Sequence, residues 1–176
     1  VLSRRGVKRI IELEDSVAVV ANSYWRAKEA LKLVKSEFES SDADTTSSAD
    51  LFAGFERSLS EDKNNKVLEV GDAEAAMDGA ADVIEGNYTV PYLAHAAMEP
   101  MNCTVHIHDG IAEVWTSTQD ALSIKGRVAS IAGVAEDDAI FHHSYLGGGF
   151  GRRLPFNWNV IDHGTLIAKE FDVPVK

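Results

Sequence analysis

The segment "LGGGFGRR", Leu146 to Arg153, places four glycines within five positions around one phenylalanine and closes on two arginines. Glycine removes the side chain, so such a run either makes a tight turn or lets a bulky ligand reach the backbone, whose N–H groups then act as donors. Two phosphate-binding patterns are excluded. A dinucleotide fingerprint needs glycine at its first, third and sixth places, but counting from Gly147 the sixth is Arg152, and counting from Gly149 it is Leu154. A Walker loop ends in Gly-Lys-Ser/Thr, and no such ending follows. A plain turn with Phe150 as an apolar plug and a ligand-binding loop both remain open.

Other chemistry-bearing residues also carry two readings each. In "TVHIHDGIAEVW", His106 and His108 alternate along a strand and share one face, a spacing that suits a metal ion. The Asp109-Gly110 turn sets His106 opposite Glu113, so a cross-strand His/Glu pair competes with the metal reading. His142 and His143 are neighbours on a strand and point to opposite faces, poorly placed to share an ion. His95 and Glu99 share a face only on a helix, and Pro100 disfavours helical geometry at Glu99, so a buried structural role stands beside a catalytic one. Gln119 falls between a strand ending near Trp115 and a helix opened by Asp120. Ligands often bind at such strand-to-helix junctions, but taken by itself Gln119 is better read as a plain turn residue bonded to nearby backbone. Cys103 is the single cysteine, which rules out an internal disulfide, and an iron-sulfur cluster takes about four thiolates. Any cluster must sit elsewhere.

These residues need elements to position them. "VKRIIEL" and "SVAVVAN", divided by "ED", read as two strands. In "SYWRAKEALKLVKSEFE" an apolar stripe of Tyr24, Ala27, Leu31, Val34 and Phe38 predicts a helix, with Ser23 as its N-cap. Glu39 to Asp50 is polar and acidic, a loop or linker. A short helix in "ADLFAGFERSL" follows, with Leu51, Phe55 and Leu59 on one face, and "EDKNNK" breaks it. "VLEVGD" and "ADVIEGNYTV" read as strands around a short helix in "AEAAMDGA". Beyond the hairpin, "ALSIKGRVASIAG" predicts a helix stopped by Gly133, "AIFHHSYL" a strand feeding the glycine loop, and Val160, Gly164, Ile167 and Phe171 the inner stripe of a last helix. A domain boundary is expected between residues 40 and 65.

The 176 residues suffice for one good core or two small ones, and 45% of them are hydrophobic. A net charge of -11 argues against a protein that grips nucleic-acid phosphates or an anionic membrane surface. The longest apolar runs, such as "VAVVA", fall far short of the ~20 residues of a membrane span. "VLSRRGVKRI" has no apolar core of a secretory signal and runs straight into strand-like sequence, as expected of an excision from a longer chain.

Four motifs in order, "YLAHAAMEPMNC", "EVWTSTQ", "GGGFGRR" and "LIAKEFDVPVK", resemble the molybdenum-binding large subunit of the xanthine oxidase and aldehyde oxidase family, most of all its isoquinoline 1-oxidoreductase beta subunits. The resemblance implies an α/β (α+β) fragment in three stretches. Residues 1–39 would end a small hammerhead-like α/β domain, 40–65 would form a flexible linker with a short helix, and 66–176 would begin the molybdenum cofactor-binding domain. It implies Gln119 as the catalytic hydrogen-bond partner of the metal centre, and Gly148, Gly149, Phe150 and Gly151 as the cofactor-binding loop. The implied reaction is hydroxylation of an aldehyde or N-heterocycle carbon with water. The implied cofactor is molybdopterin, as the cytosine dinucleotide form, with a 2Fe-2S cluster on a small partner subunit. The family's base would lie beyond Lys176, so the fragment alone is expected to be inactive. Arg152, Arg153 and Leu154 stand where purine-hydroxylating members carry Gly-Lys-Glu, which argues against a purine substrate. The alternative class is a non-catalytic binding or interaction module built on the glycine loop.

Overall fold

The computed structural model describes residues 1–39, 41, 45–61, 68–157 and 159–176. They form two compact units, one of residues 1–35 with 92–176 and one of residues 36–91. Helices and two small sheets make a mixed α+β chain, the class expected.

The chain opens with an antiparallel hairpin, β1 (Val7–Glu12) and β2 (Val17–Ala21), as expected. Helix α1 (Tyr24–Leu31) starts where the Ser23 side chain accepts the Arg26 N–H. Its expected extension to Phe38 does not occur. The N–H groups of Leu33 and Val34 bond to the carbonyls of Ala30 and Leu31, a tightened last turn that ends the helix. Only Ala30 of α1 is buried, while Tyr24 and Phe38 of the expected stripe are exposed.

In the unit of residues 36–91, α2 (Ser48–Ser60) is opened by a capping box in which Ser47 and Asp50 satisfy each other's backbone N–H. A one-and-a-half-turn helix, α3 (Ala73–Asp78), is capped by Asp72. The expected breaker "EDKNNK" lies mostly outside the described residues, as do Ser40 and residues 42–44 of the acidic stretch. The strands expected in "VLEVGD" and "ADVIEGNYTV" do not form among the described residues from Leu68 onward. β-Propensity alone does not make a strand. An extended segment needs a ladder to pair its backbone groups, and neither segment finds one there.

The rest of the chain positions the site. After an irregular stretch, β3 (Cys103–His108) and β4 (Ile111–Thr116) form a hairpin that places His106 opposite Glu113, as expected. Asp109 and Gly110 take φ of 49° and 79°, the left-handed pair a two-residue turn requires. α4 (Ala121–Ala132) runs from its Asp120 cap to Gly133 at φ 82°, and β5 (Ala139–His143) then pairs parallel to β4. α5 (Asn159–Ala168) packs on β3 and α4. One face of the β3-β4-β5 sheet therefore meets both helices, through Val105, Val114, Ile124, Val128 and Ile161. Strand alternation leaves His106, His108, Glu113, Trp115 and His142 on the other face.

α5 corrects the expected stripe. Ile161, Thr165 and Ala168 are its buried residues, one position away from Val160, Gly164 and Ile167. Thr165 tolerates full burial because its hydroxyl donates to the Ile161 carbonyl at 2.8 Å. Gly164 lies against Cys103, whose sulfur occupies the space a Cβ would need.

Candidate functional site

Parallel pairing brings the carboxyl ends of β4 and β5 side by side. Ser117 to Gln119 leave the first, the glycine loop follows the second, and residues 99–102 enter β3 at the same edge. Segments far apart in sequence thus meet at the edge where α/β layers commonly bind ligands.

Arg153 ties them together. It is 2% exposed, and its guanidinium donates through Nε to the Gly148 carbonyl at 2.9 Å, and through the two terminal nitrogens to the Ser117 hydroxyl at 2.7 Å and the Glu99 carbonyl at 3.0 Å. The Glu99 carboxylate sits 2.9 Å from the guanidinium and compensates its buried charge. The Arg153 carbonyl accepts the Gln119 backbone N–H at 3.2 Å and the Thr118 hydroxyl at 3.1 Å. Glu99 also accepts from the Gly147 N–H at 2.9 Å and the Ser117 hydroxyl at 3.0 Å. Its carboxyl is held below the ordinary glutamate range, chiefly by the Gly147 N–H, with Ser117, Arg153 and Asn102 adding to the effect and burial opposing it. Of the two readings of Glu99, the structural one is what the geometry shows. The architectural role of Arg153 was missed in the sequence, where only its place directly after a glycine loop hints at it.

Gln119 is the other organiser. Its side-chain oxygen accepts the N–H of Gly151 at 2.9 Å and of Arg153 at 3.3 Å. Two donors on one atom settle which end of the amide is oxygen. Among the described residues no acceptor takes the protons of the NH2 end.

The glycines owe part of their identity to these partners. A Cβ on Gly149 would lie 2.5 Å from Gln119 Oε1 and 2.7 Å from its Cδ, and one on Gly147 would run into Glu99 Cβ. Gly148 and Gly151 take φ of 100° and 94°. Phe150 takes φ 52°, an uncommon conformation for an aromatic residue, and its side chain is 72% exposed, so it does not serve as a core plug. Among the described residues no acceptor takes the N–H of Gly148, Gly149 or Phe150. A cleft of about 250 Å³ beside the loop is lined by His95, Glu99, Met101 and Arg152 among others. The loop and Gln119, expected together, are brought together.

The remaining candidates lie elsewhere in the fold. Cys103 is buried, donates to the Val160 carbonyl at 3.1 Å, and has its thiol pushed up to about 12 by burial. His142 and His143 point to opposite faces of β5, as expected. His108 Nε2 lies 2.9 Å from Glu113, so the cross-strand pairing of this face is present, although His108 rather than His106 makes the hydrogen bond.

Comparison with known proteins adds an independent finding. The model of the molybdopterin cofactor-binding domain matches residues 59–176. The isoquinoline 1-oxidoreductase subunit beta of Brevundimonas diminuta is 31% identical over 160 residues, which is 85% of this chain and 20% of that protein. The aldehyde oxidoreductase molybdenum-binding subunit PaoC of Escherichia coli O157:H7 is 31% identical over 165 residues, 90% of this chain and 21% of that subunit. The nicotinate dehydrogenase large molybdopterin subunit of Eubacterium barkeri is 29% identical over 174 residues, 92% of this chain and 39% of that subunit. The chain thus spans about a fifth to two fifths of the length of these relatives.

Proposed function

This chain belongs to the molybdopterin cofactor-binding family of molybdenum hydroxylases, and from that premise we propose that it supplies one wall of the cofactor site in an oxidoreductase that hydroxylates an aldehyde or N-heterocycle carbon using water. The observation that carries the reading is the fixed amide of Gln119. With its oxygen held by Gly151 and Arg153, its NH2 is left as a donor without a partner among the described residues, as a partner for an oxygen ligand requires. The residues fit the group. The N–H groups of Gly148, Gly149 and Phe150, unpaired among the described residues, lie beside the exposed Phe150 ring and suit a polar, bulky cofactor.

When bound, the cofactor would supply a two-electron redox centre in its molybdenum. The chain's own residues do the rest on this wall. Gln119 donates, Gly148, Gly149 and Phe150 offer their backbone N–H groups, and the exposed Phe150 ring offers an apolar surface that helps exclude water. Arg153 and Glu99 act through these groups as positioning residues. We take the cofactor to be the cytosine dinucleotide form. The domain reading, 1–39, 40–65 and 66–176, belongs to the same proposal. Cys103, alone and buried as a neutral thiol, is no cluster ligand, so no cluster is held by these 176 residues, and we take the electron exit to be a 2Fe-2S cluster on a small partner subunit.

Gln119→Glu in the full enzyme tests the reading. The variant keeps an oxygen for the Gly151 and Arg153 N–H groups but replaces the NH2 donor with an acceptor. Turnover should fall about 10²-fold, the usual cost of one preorganised donor, with the fold unchanged. Normal turnover at full molybdenum content would refute the assignment. The 176-residue chain alone should show no turnover.

A further inference from the structure

We propose that the face of the β3-β4-β5 sheet opposite α4 and α5 holds a binding site for one divalent ion of the zinc class, with His106, His108 and Glu113 as its ligands. This site is independent of the molybdopterin reading. The three side chains each offer one ligand atom, and these atoms all lie within 4.8 Å of one another. Antiparallel register puts Glu113 directly across from His106, and the two imidazoles stack side by side with centroids 4.3 Å apart. Ligand atoms about 2.0–2.2 Å from a tetrahedral zinc stand roughly 3.3 Å from each other. His108 Nε2 and Glu113 Oε1 are 2.9 Å apart, near that spacing, and a ligand atom of His106 lies within 4.8 Å of the ligand atoms of both residues.

A second observation concerns the carboxylate. Glu113 Oε2 lies 2.7 Å from His142 Nε2, and the His142 ring stacks on Trp115 at 4.6 Å with an interplanar angle of 5°. Metal-binding carboxylates are commonly oriented by such an outer hydrogen bond, which leaves the other oxygen free to ligate. Two imidazoles and one carboxylate select zinc-class ions over magnesium or calcium, which prefer all-oxygen sets. Side-chain exposures of 31% for His108 and 22% for Glu113 leave room for water to complete the coordination. Cys103, the single thiol of these 176 residues, is buried and does not join the set.

The same contacts without an ion make a hydrogen-bonded His/Glu pair, and Glu113→Gln separates the two. An amide still hydrogen-bonds both imidazoles but is a poor zinc ligand. The experiment is equilibrium dialysis of the purified full-length protein against zinc ion, with bound metal counted by mass spectrometry. The wild type should take up one zinc per chain more than Glu113→Gln and His108→Ala do. His142→Phe should weaken uptake about 10- to 100-fold while keeping the stoichiometry. Equal zinc in the wild type and Glu113→Gln, or none in the wild type, overturns the proposal. If the variants do not fold, the wild type decides alone: stoichiometric zinc must raise its melting temperature, and an unmoved melting temperature overturns the site.

Discussion

Residues 36–91 and residues 92–176 both carry well-formed helix signals, yet they end differently. α2 has a full capping box and α3 an aspartate cap, but among the described residues of 36–91 none is buried. α4 has one aspartate cap and buries Ile124, Val128 and Ala129. Caps decide where a helix starts; a paired sheet decides whether it has something to cover. The candidate site belongs to the second kind of region, because it exists only where strand pairing brings residues 99, 117–119 and 147–153 together.

The largest test of that contrast is Glu99→Ala, which strands the Arg153 charge in the interior. Removing one partner of a buried pair costs about 3–5 kcal/mol, and since Glu99 keeps some contact with water we expect about 2–3 kcal/mol by denaturant unfolding. A loss below 0.5 kcal/mol would show that Arg153 is not the clamp described. Next come the two crowded glycines. Gly147→Ala must move Glu99 at its Cβ, close to the main chain, and should cost about 1–3 kcal/mol. Gly149→Ala meets the outer side-chain atoms of Gln119 rather than atoms next to the main chain, so it should cost less stability, about 1 kcal/mol for the lost hydrogen bonds, while disturbing turnover as much as Gln119→Glu. The reverse order of stabilities would contradict the packing.

A gentler perturbation uses pH. Glu99 has a folded pKa below its unfolded value, so its contribution is fully present above the unfolded value and is lost as the pH falls through the folded one. Hydrogen exchange at Gly147 should therefore accelerate, relative to the β3-β4 hairpin, only below the ordinary glutamate range. Smallest of all, Leu59→Gln on exposed α2 should change stability by less than about 0.5 kcal/mol, whereas Ser47→Ala should cost that helix about 1 kcal/mol, read from its helical signal. A large global effect of Leu59→Gln would dissolve the contrast between the regions.

What was legible in the sequence follows the same division. The β3-β4 turn, the register of His106 with Glu113, the Asp120 cap and the Gly133 stop are short-range signals, and each appears where the residues put it. The strands expected in "VLEVGD" and "ADVIEGNYTV" depended on partners that local sequence does not specify. The stripe of α5 slipped by one residue because Thr165, polar by type, satisfies itself inside the helix and takes a core place. In the site, Gln119 and the glycine loop stood out by motif. The reason for Gly147 and Gly149 did not, since it lies in side chains 48 and 30 positions earlier, Glu99 and Gln119.

The sheet itself has a direction of growth. Val175 lies along the outer edge of β3 and exchanges two 2.9 Å hydrogen bonds with Val105. A new strand arriving on that side would have to evict it and forfeit both bonds. The far side of β5 has no strand partner among the described residues, so its backbone groups stand as an open template. Extension of this sheet by another segment is therefore favoured at one margin, beside the strand that delivers the glycine loop.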